Sequence, residues 1–253
     1  MVFLKNGLAE ALLKEWMANA QRWEKIAIQA RAAGLDVWNP PLYTEEIYRR
    51  FLQRYPPKPS PILLLGLNPG PHGMAQTGIP FTDCRTASQL LDISLPIPGK
   101  APTDLARRLK KPTGRWRSTY ERSSLGIYRF LRLGWNNSLE DAFARVYFAN
   151  PCPLLFLTAE GKNVTPADPI LKRLPEIADL RREAVRRSGA LLAPSSVVCL
   201  GSDAFSVMGK AASELVGPEN VHAYPHPARA IPIAWAAGLW ELAQPYARVA
   251  LNA

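Results

Sequence analysis

The chain has 253 residues, 47% of them hydrophobic, and a formal charge of +10 at pH 7. That length and apolar content build a substantial core without disulfide or metal staples, and no run of about 18 apolar residues is present to span a bilayer. Lys5, Glu10, Lys14 and Glu15 interrupt the apolar stretch a signal peptide needs, so the protein is expected in the cytoplasm or, in a nucleated cell, the nucleus, and not secreted.

Residues 8 to 33 repeat apolar positions at steps of three and four up to Gly34, which predicts one amphipathic helix with a glycine stop. A second helix is predicted over 44 to 55, with Thr44 as its N-cap and prolines 56, 57, 59 and 61 beyond its end. Four short apolar runs follow: ILLLGL (62 to 67), RVYFAN (145 to 150), SVVCLG (196 to 201) and VHAYP (221 to 225). They read as strands buried on both faces. Helical patterns at 123 to 133, 169 to 190 and 203 to 215 alternate with them, which predicts an α/β domain with a parallel sheet. Over 176 to 187, Ile177, Leu180 and Ala184 are expected inward and Arg181, Arg182, Arg186 and Arg187 outward.

The positive charge is local. Between Lys100 and Arg132 stand ten basic residues against Asp104 and Glu121. Within that window Lys110, Lys111, Arg115 and Arg117 interleave with Trp116 and Tyr120, a mixture that follows phosphates and stacks on bases; an isolated cluster of this kind also occurs as a plain solvated loop. Cys84, Cys152 and Cys199 lie far apart, lack metal-ligand spacing and accompany only three histidines, so neither a metal nor a disulfide framework is expected.

Each predicted strand ends in a short polar signature: NPGPHG, NPCP, GSD and HPAR. In open parallel sheets ligands bind outside the carboxyl ends of the strands, so the four segments point to one crevice. The stretch GLNPGPHGMAQTGIPF, Gly66 to Phe81, lacks both the dinucleotide fingerprint and the P-loop lysine, and Pro69 and Pro71 remove amides that a phosphate would use. Its glycines and prolines supply instead a stiff backbone that approaches a flat ligand closely. Phe81 offers a stacking face, and the amide of Asn150 presents one acceptor and one donor side by side, matching the N3–H and O4 edge of uracil. Asn68 can orient a water, and His226 can donate to a carbonyl oxygen that gains charge as a base departs. Each has a plainer reading: Asn68 and Asn150 as turn formers before proline, Phe81 as core, His226 as a strand-end histidine. His72 is expected to be an exposed loop residue, His222 a strand residue, and Asn163 and Thr165 turn or cap residues. Trp16, Trp23, Trp135, Trp235 and Trp240 are assigned to packing.

GLNPGPHGMAQTGIPF, NPCPLLFL with GKNVTP after it, and the late HPAR resemble the ordered motifs of the uracil-DNA glycosylase superfamily, closest to its single-strand-selective monofunctional branch, over about residues 37 to 229. The resemblance implies a three-layer α/β/α domain with a short, mostly parallel central sheet over 36 to 253, preceded by a helical extension over 1 to 35. It implies a monomeric, metal-independent hydrolase without cofactor, acting on uracil and C5-oxidised uracils such as 5-hydroxymethyluracil in single- or double-stranded DNA. Asn68 then positions the water, His226 stabilises the departing base, Phe81 stacks on it, Asn150 reads its edge, and Gly70 and Met74 lie near its C5 side. Lys110, Lys111, Arg115, Arg117, Pro227, Ala228 and Arg229 contact DNA. Two positions depart from the family pattern: HPAR lacks a Ser-Pro step, which alters the expected wedge, and Thr82 replaces a glycine ahead of Asp83, where the pair is expected to narrow the pocket mouth or repel phosphate. A DNA-binding or damage-sensing module without catalysis, a glycosylase turned towards deaminated purines, and a nucleotide-cofactor enzyme are the alternatives.

Overall fold

The computed structural model describes residues 7–93, 121–166 and 168–229. The basic run with Lys110, Lys111, Arg115 and Arg117, together with Trp235 and Trp240, lies outside the described residues.

The N-terminal pattern forms two helices, α1 (Gly7–Arg22) and α2 (Glu24–Ala32), rather than one. The break falls at Trp23, whose N–H is shared between the carbonyls of Asn19 and Ala20. It redirects the chain so that Trp23, Ile26, Ala27 and Ala30 bury against Cys152, Leu154 and Phe156, while Leu12 and Leu13 of α1 join the main core. Gly34 stops α2 with φ +86°, a backbone that disfavours any side chain.

After β1 (Asp36–Trp38), α3 (Pro41–Arg54) starts earlier than the sequence suggests. Proline at the first turn has no N–H to leave unpaired, so the helix begins at Pro41. Thr44 is therefore inside it and not its cap, with a hydroxyl that donates back to the Pro40 carbonyl at 2.7 Å.

The strands β2 (Ile62–Leu65), β3 (Val146–Ala149), β6 (Ser196–Leu200) and β7 (Val221–Tyr224) form one parallel sheet in the order β3-β2-β6-β7. β2 and β6 are buried at every position. A second, antiparallel sheet joins β1 to β4 (Leu155–Leu157) and β5 (Asn163–Val164) in the order β1-β4-β5; strands of two and three residues leave little periodic signal. Between these lie α4 (Met74–Thr77), a π-helical turn (Thr86–Leu90), α5 (Arg122–Gly134) and α6 (Leu139–Phe143).

The helix predicted over 169 to 190 is also two, α7 (Pro169–Lys172) and α8 (Glu176–Leu192). Pro175 interrupts the hydrogen-bond ladder between them. Arg181, expected outward, is 7% exposed. α8 packs against both α1 and α9 (Ser202–Val216), so its solvent stripe is narrower than helical periodicity alone implies. Burial holds the guanidinium below its ordinary pKa, and Cys152 is the neighbouring group.

α3 is tied to the sheet by a buried hydrogen bond between the hydroxyls of Tyr48 and Tyr147, 2.6 Å apart, beneath the stacked rings of Trp16 and Tyr48. Tyr147→Phe leaves the Tyr48 hydroxyl buried and unpaired, and is expected to lower unfolding free energy by about 1 to 3 kcal/mol in chemical denaturation. The double variant with Tyr48→Phe should recover part of that loss, since no polar group is then left without a partner.

Candidate active site

All four parallel strands release their chains on one side, and the loops at their carboxyl ends enclose an open crevice of about 710 Å³. It opens where the strand order reverses: the chain moves from β2 to β3, then crosses back to β6 on the other side of β2. Loops diverge at such a point and leave room for a ligand.

The slot begins at Gly66, directly after β2. A Cβ placed there would collide with Oδ1 of Asn150 and with the Phe81 ring, so both side chains reach the backbone at contact distance because the residue is glycine. The Phe81 ring meets Phe148 edge-on, with centroids 5.8 Å apart at 77°. Its backbone is left-handed, φ +56°, a conformation that costs a bulky residue about 1 to 3 kcal/mol and persists only when its surroundings hold it.

What holds it is the residue after it. Thr82 is fully buried: its hydroxyl shares a 2.8 Å hydrogen bond with Tyr128, and its carbonyl accepts from the Thr77 hydroxyl at 2.7 Å. Asp83, 1% exposed, accepts the backbone N–H of Thr86 at 2.7 Å and of Glu121 at 2.9 Å. Neither residue faces the mouth of the crevice as expected. Their polar groups are used to close the loop.

Asn150 donates through Nδ2 to the Met74 sulfur at 3.0 Å, while its Oδ1 has no hydrogen-bond partner. The amide of Asn68 donates to the Pro69 carbonyl at 3.3 Å, turning its oxygen into the acceptor available for a water.

His226 starts a tight turn in which Arg229 N–H donates to the His226 carbonyl at 2.8 Å. Within it the Ala228 N–H donates to Nδ1 of His226 at 3.2 Å. An Nδ1 that accepts places the proton of the neutral ring on Nε2. The ring is reachable by solvent, yet the crevice walls strip some of its water, and the nearby Arg229 adds positive charge; both hold its pKa below the ordinary histidine value. The three-residue step of HPAR therefore still fixes the imidazole. Pro227 is buried, with its carbonyl pressed against Gly126 of α5, so it anchors this turn and leaves Ala228 and Arg229 exposed.

Asn68, Gly70, Phe81, Asn150, His226 and Arg229 line the one crevice, and Met74 joins through its contact with Asn150. Asn163 and Thr165, expected as turn residues, line it too, as do Ser202 and Asp203 of the GSD signature. His72 is half-buried rather than exposed.

Glu121, one acid in a basic window, carries no motif that marks it in the sequence. It lines the crevice, with its carboxyl wedged against the Cα atoms of Gly70 and Gly73. Its Oε2 has no hydrogen-bond partner. Burial, assisted by the charge of Asp83 and opposed by a hydrogen bond from Ser123, pushes its pKa up to about 7.

A family model described as the uracil DNA glycosylase superfamily matches residues 52–246. The chain belongs to the uracil DNA glycosylase superfamily. Over 194 residues it is 31% identical to the single-strand selective monofunctional uracil DNA glycosylase of Bos taurus, a span of 76% of this chain and 69% of that protein. The Rattus norvegicus protein of the same description is 32% identical over 76% of this chain and 67% of its own. The crystal structure of wild-type SMUG2 from Pedobacter heparinus matches with a TM-score of 0.62 at 22% identity, over 87% of this chain and 90% of that one, a likeness of fold. The superfamily match starts within α3 and takes in every loop of the crevice, with α1 and α2 ahead of it.

Two expected outcomes follow from the packing of this superfamily member. Gly66→Ala forces a methyl between Phe81 and Asn150 and should lower stability by about 1 to 3 kcal/mol, the usual cost of overpacking, read by thermal melting. The folded protein keeps the Glu121 proton between its ordinary pKa of 4.5 and about 7, where the unfolded chain has lost it. The stability so contributed is full below pH 4.5 and is lost as pH rises through 7. Glu121→Gln should therefore gain in melting temperature over the wild type as pH is raised from 5 to 8.

Proposed function

We propose that this crevice receives one uracil flipped out of DNA and hydrolyses its N-glycosidic bond, leaving an abasic site. The observation that carries the reading is the meeting, in one crevice, of the Phe81 ring, the Asn150 amide and an imidazole whose donor is Nε2–H. A pyrimidine stacked on Phe81 satisfies the unpaired Oδ1 of Asn150 with its N3–H, and Nδ2, turned from Met74, donates to O4. Cytosine offers the opposite pattern along that edge and leaves buried groups unpaired, at about 1 to 3 kcal/mol each.

The reaction needs little acid or base. As the bond from C1′ to N1 lengthens, its electron pair moves onto the base and charge gathers on O2, where the Nε2–H of His226 donates; oriented donors of this kind contribute about 3 kcal/mol. The Asn68 oxygen orients a water towards C1′, and the proton it sheds leaves to solvent once the new bond forms. Preorganisation of neutral groups, with no catalytic residue bonded to the sugar, accords with a monofunctional enzyme. The relatives' names, which specify uracil and DNA, support the substrate.

The DNA partner is further supported by the charge of +10, with Lys110, Lys111, Arg115 and Arg117 assigned to phosphates and Arg229 to the rim of the crevice. Counterion release makes such binding fall steeply with salt. Gly70 and Met74 border the slot beside the C5 position of the base.

The test is release of uracil from oligonucleotides, single-stranded and opposite G, in EDTA, scored as alkali-labile sites. Wild type should cleave both, and His226→Ala should fall by about 100-fold or more, as for loss of an oxyanion donor. Asn68→Ala should be similarly impaired with an unchanged melting temperature. DNA binding with no abasic product from the wild type would refute catalysis and leave a damage-sensing module.

A further inference from the structure

We propose that Asn19, on α1 and ahead of the residues that the superfamily model matches, is a positioning residue for the base slot, holding the Asn150 amide in place through the carbonyl of Pro151. This rests on the reading of Asn150 given above, as the group that grips the base edge. Asn150 follows β3 directly, and β3 is an edge strand of its sheet, paired with β2 alone. On one side of Asn150 the Ala149 carbonyl accepts the Gly66 N–H at 2.9 Å. On the other, the Pro151 carbonyl accepts Nδ2 of Asn19 at 3.1 Å, from 132 residues away along the chain. The amide is carried on the backbone between these two pinned carbonyls.

That backbone has little else to hold it. Pro151 has no N–H to donate, and the contact of the Asn150 amide with the Met74 sulfur is to a weak acceptor. Packing against α1 is incomplete, because a cavity of about 30 Å³ remains among Trp16, Asn19, Asn150 and Pro151. The loop therefore takes its position from a directed bond rather than from filled space. Asn19 is itself well fixed. Its side chain is buried, and the carbonyl of its neighbour Ala20 accepts both the Trp23 N–H at 3.3 Å and Nδ2 of Asn39 at 3.0 Å. The same Nδ2 donates to the Glu24 carboxylate at 2.6 Å. Asn39 stands between β1 and α3, so the end of α1 is tied to the start of α3, and Asn19 passes that fixed position to the slot.

The experiment is a double-variant cycle on release of uracil from a single-stranded oligonucleotide, in single turnover with enzyme in excess and followed long enough for slow variants to register. Asn19→Leu removes the donor at similar volume and should lower the rate by about 10- to 100-fold, the scale of a small misplacement of a binding group. In an Asn150→Ala background the same substitution should change the rate by less than about threefold, because the group it positions is gone. Asn19→Gln, which keeps the donor and has the cavity to fold into, should restore part of the rate. A merely structural loss would slow both backgrounds alike and would follow the melting temperature. Asn19→Ala is the second variant without the donor, and the cycle is read in whichever of the two melts cooperatively above the assay temperature. Equal losses in the two backgrounds, or a wild-type rate once the donor is removed, overturn the role of Asn19 while sparing the proposed reaction. Absence of uracil release from the wild type overturns both.

Discussion

The Cα of Gly66 has room for a hydrogen and nothing larger. Asn150 and Phe81 converge on it from β3 and from the far end of the motif loop, and their distance from the β2 backbone sets the width of the slot. The proposed stacking of a planar base on Phe81 beside the Asn150 amide depends on that approach being kept. The left-handed backbone at Phe81 is part of the same constraint, because the ring can lie flat there only if the chain turns sharply. The buried network of Thr77, Thr82 and Tyr128 offsets the strain. Stability spent on the loop is thereby converted into a rigid site.

The chemistry is correspondingly spare. The groups proposed to act are two amides and an imidazole, each oriented by one local contact: Asn150 by Met74, Asn68 by the Pro69 carbonyl, and His226 by the Ala228 N–H. Fixed donors of this type need no reorganisation as charge develops on a leaving base. Burial pushes the pKa of the acid in the crevice, Glu121, up to about 7. Asp83, the acid next to it in space, is satisfied by backbone N–H groups and works as a clasp between the motif loop and α5.

Much of this is legible in the sequence. Four apolar runs gave four parallel strands, because a strand buried on both faces must be a short continuous stretch of apolar residues. The polar signatures after them marked the crevice, and the family motifs carried Asn68, Phe81, Asn150 and His226. Less legible were features that depend on contact rather than period. Trp23 and Pro175 split two helices at points where periodicity continues. The outward face assigned to Arg181 vanished under two neighbouring helices. Glu121 carries no motif of its own, and its importance comes entirely from the glycines it rests on.

The sequence alone determined the α/β alternation, the motif that ends in Phe81 and the family, since each is written in residues close together along the chain. The tertiary structure decided which side chains are neighbours: that Thr82 and Asp83 turn inward, that Pro227 docks on α5 while the Ala228 amide fixes the histidine tautomer, and that the Glu121 carboxyl, just ahead of α5, rests on Gly70 and Gly73 at the crevice. The reason is physical. Local propensity acts over a few residues, whereas burial, steric exclusion at a glycine and the pKa of an acid are set by atoms brought together from distant segments of the chain.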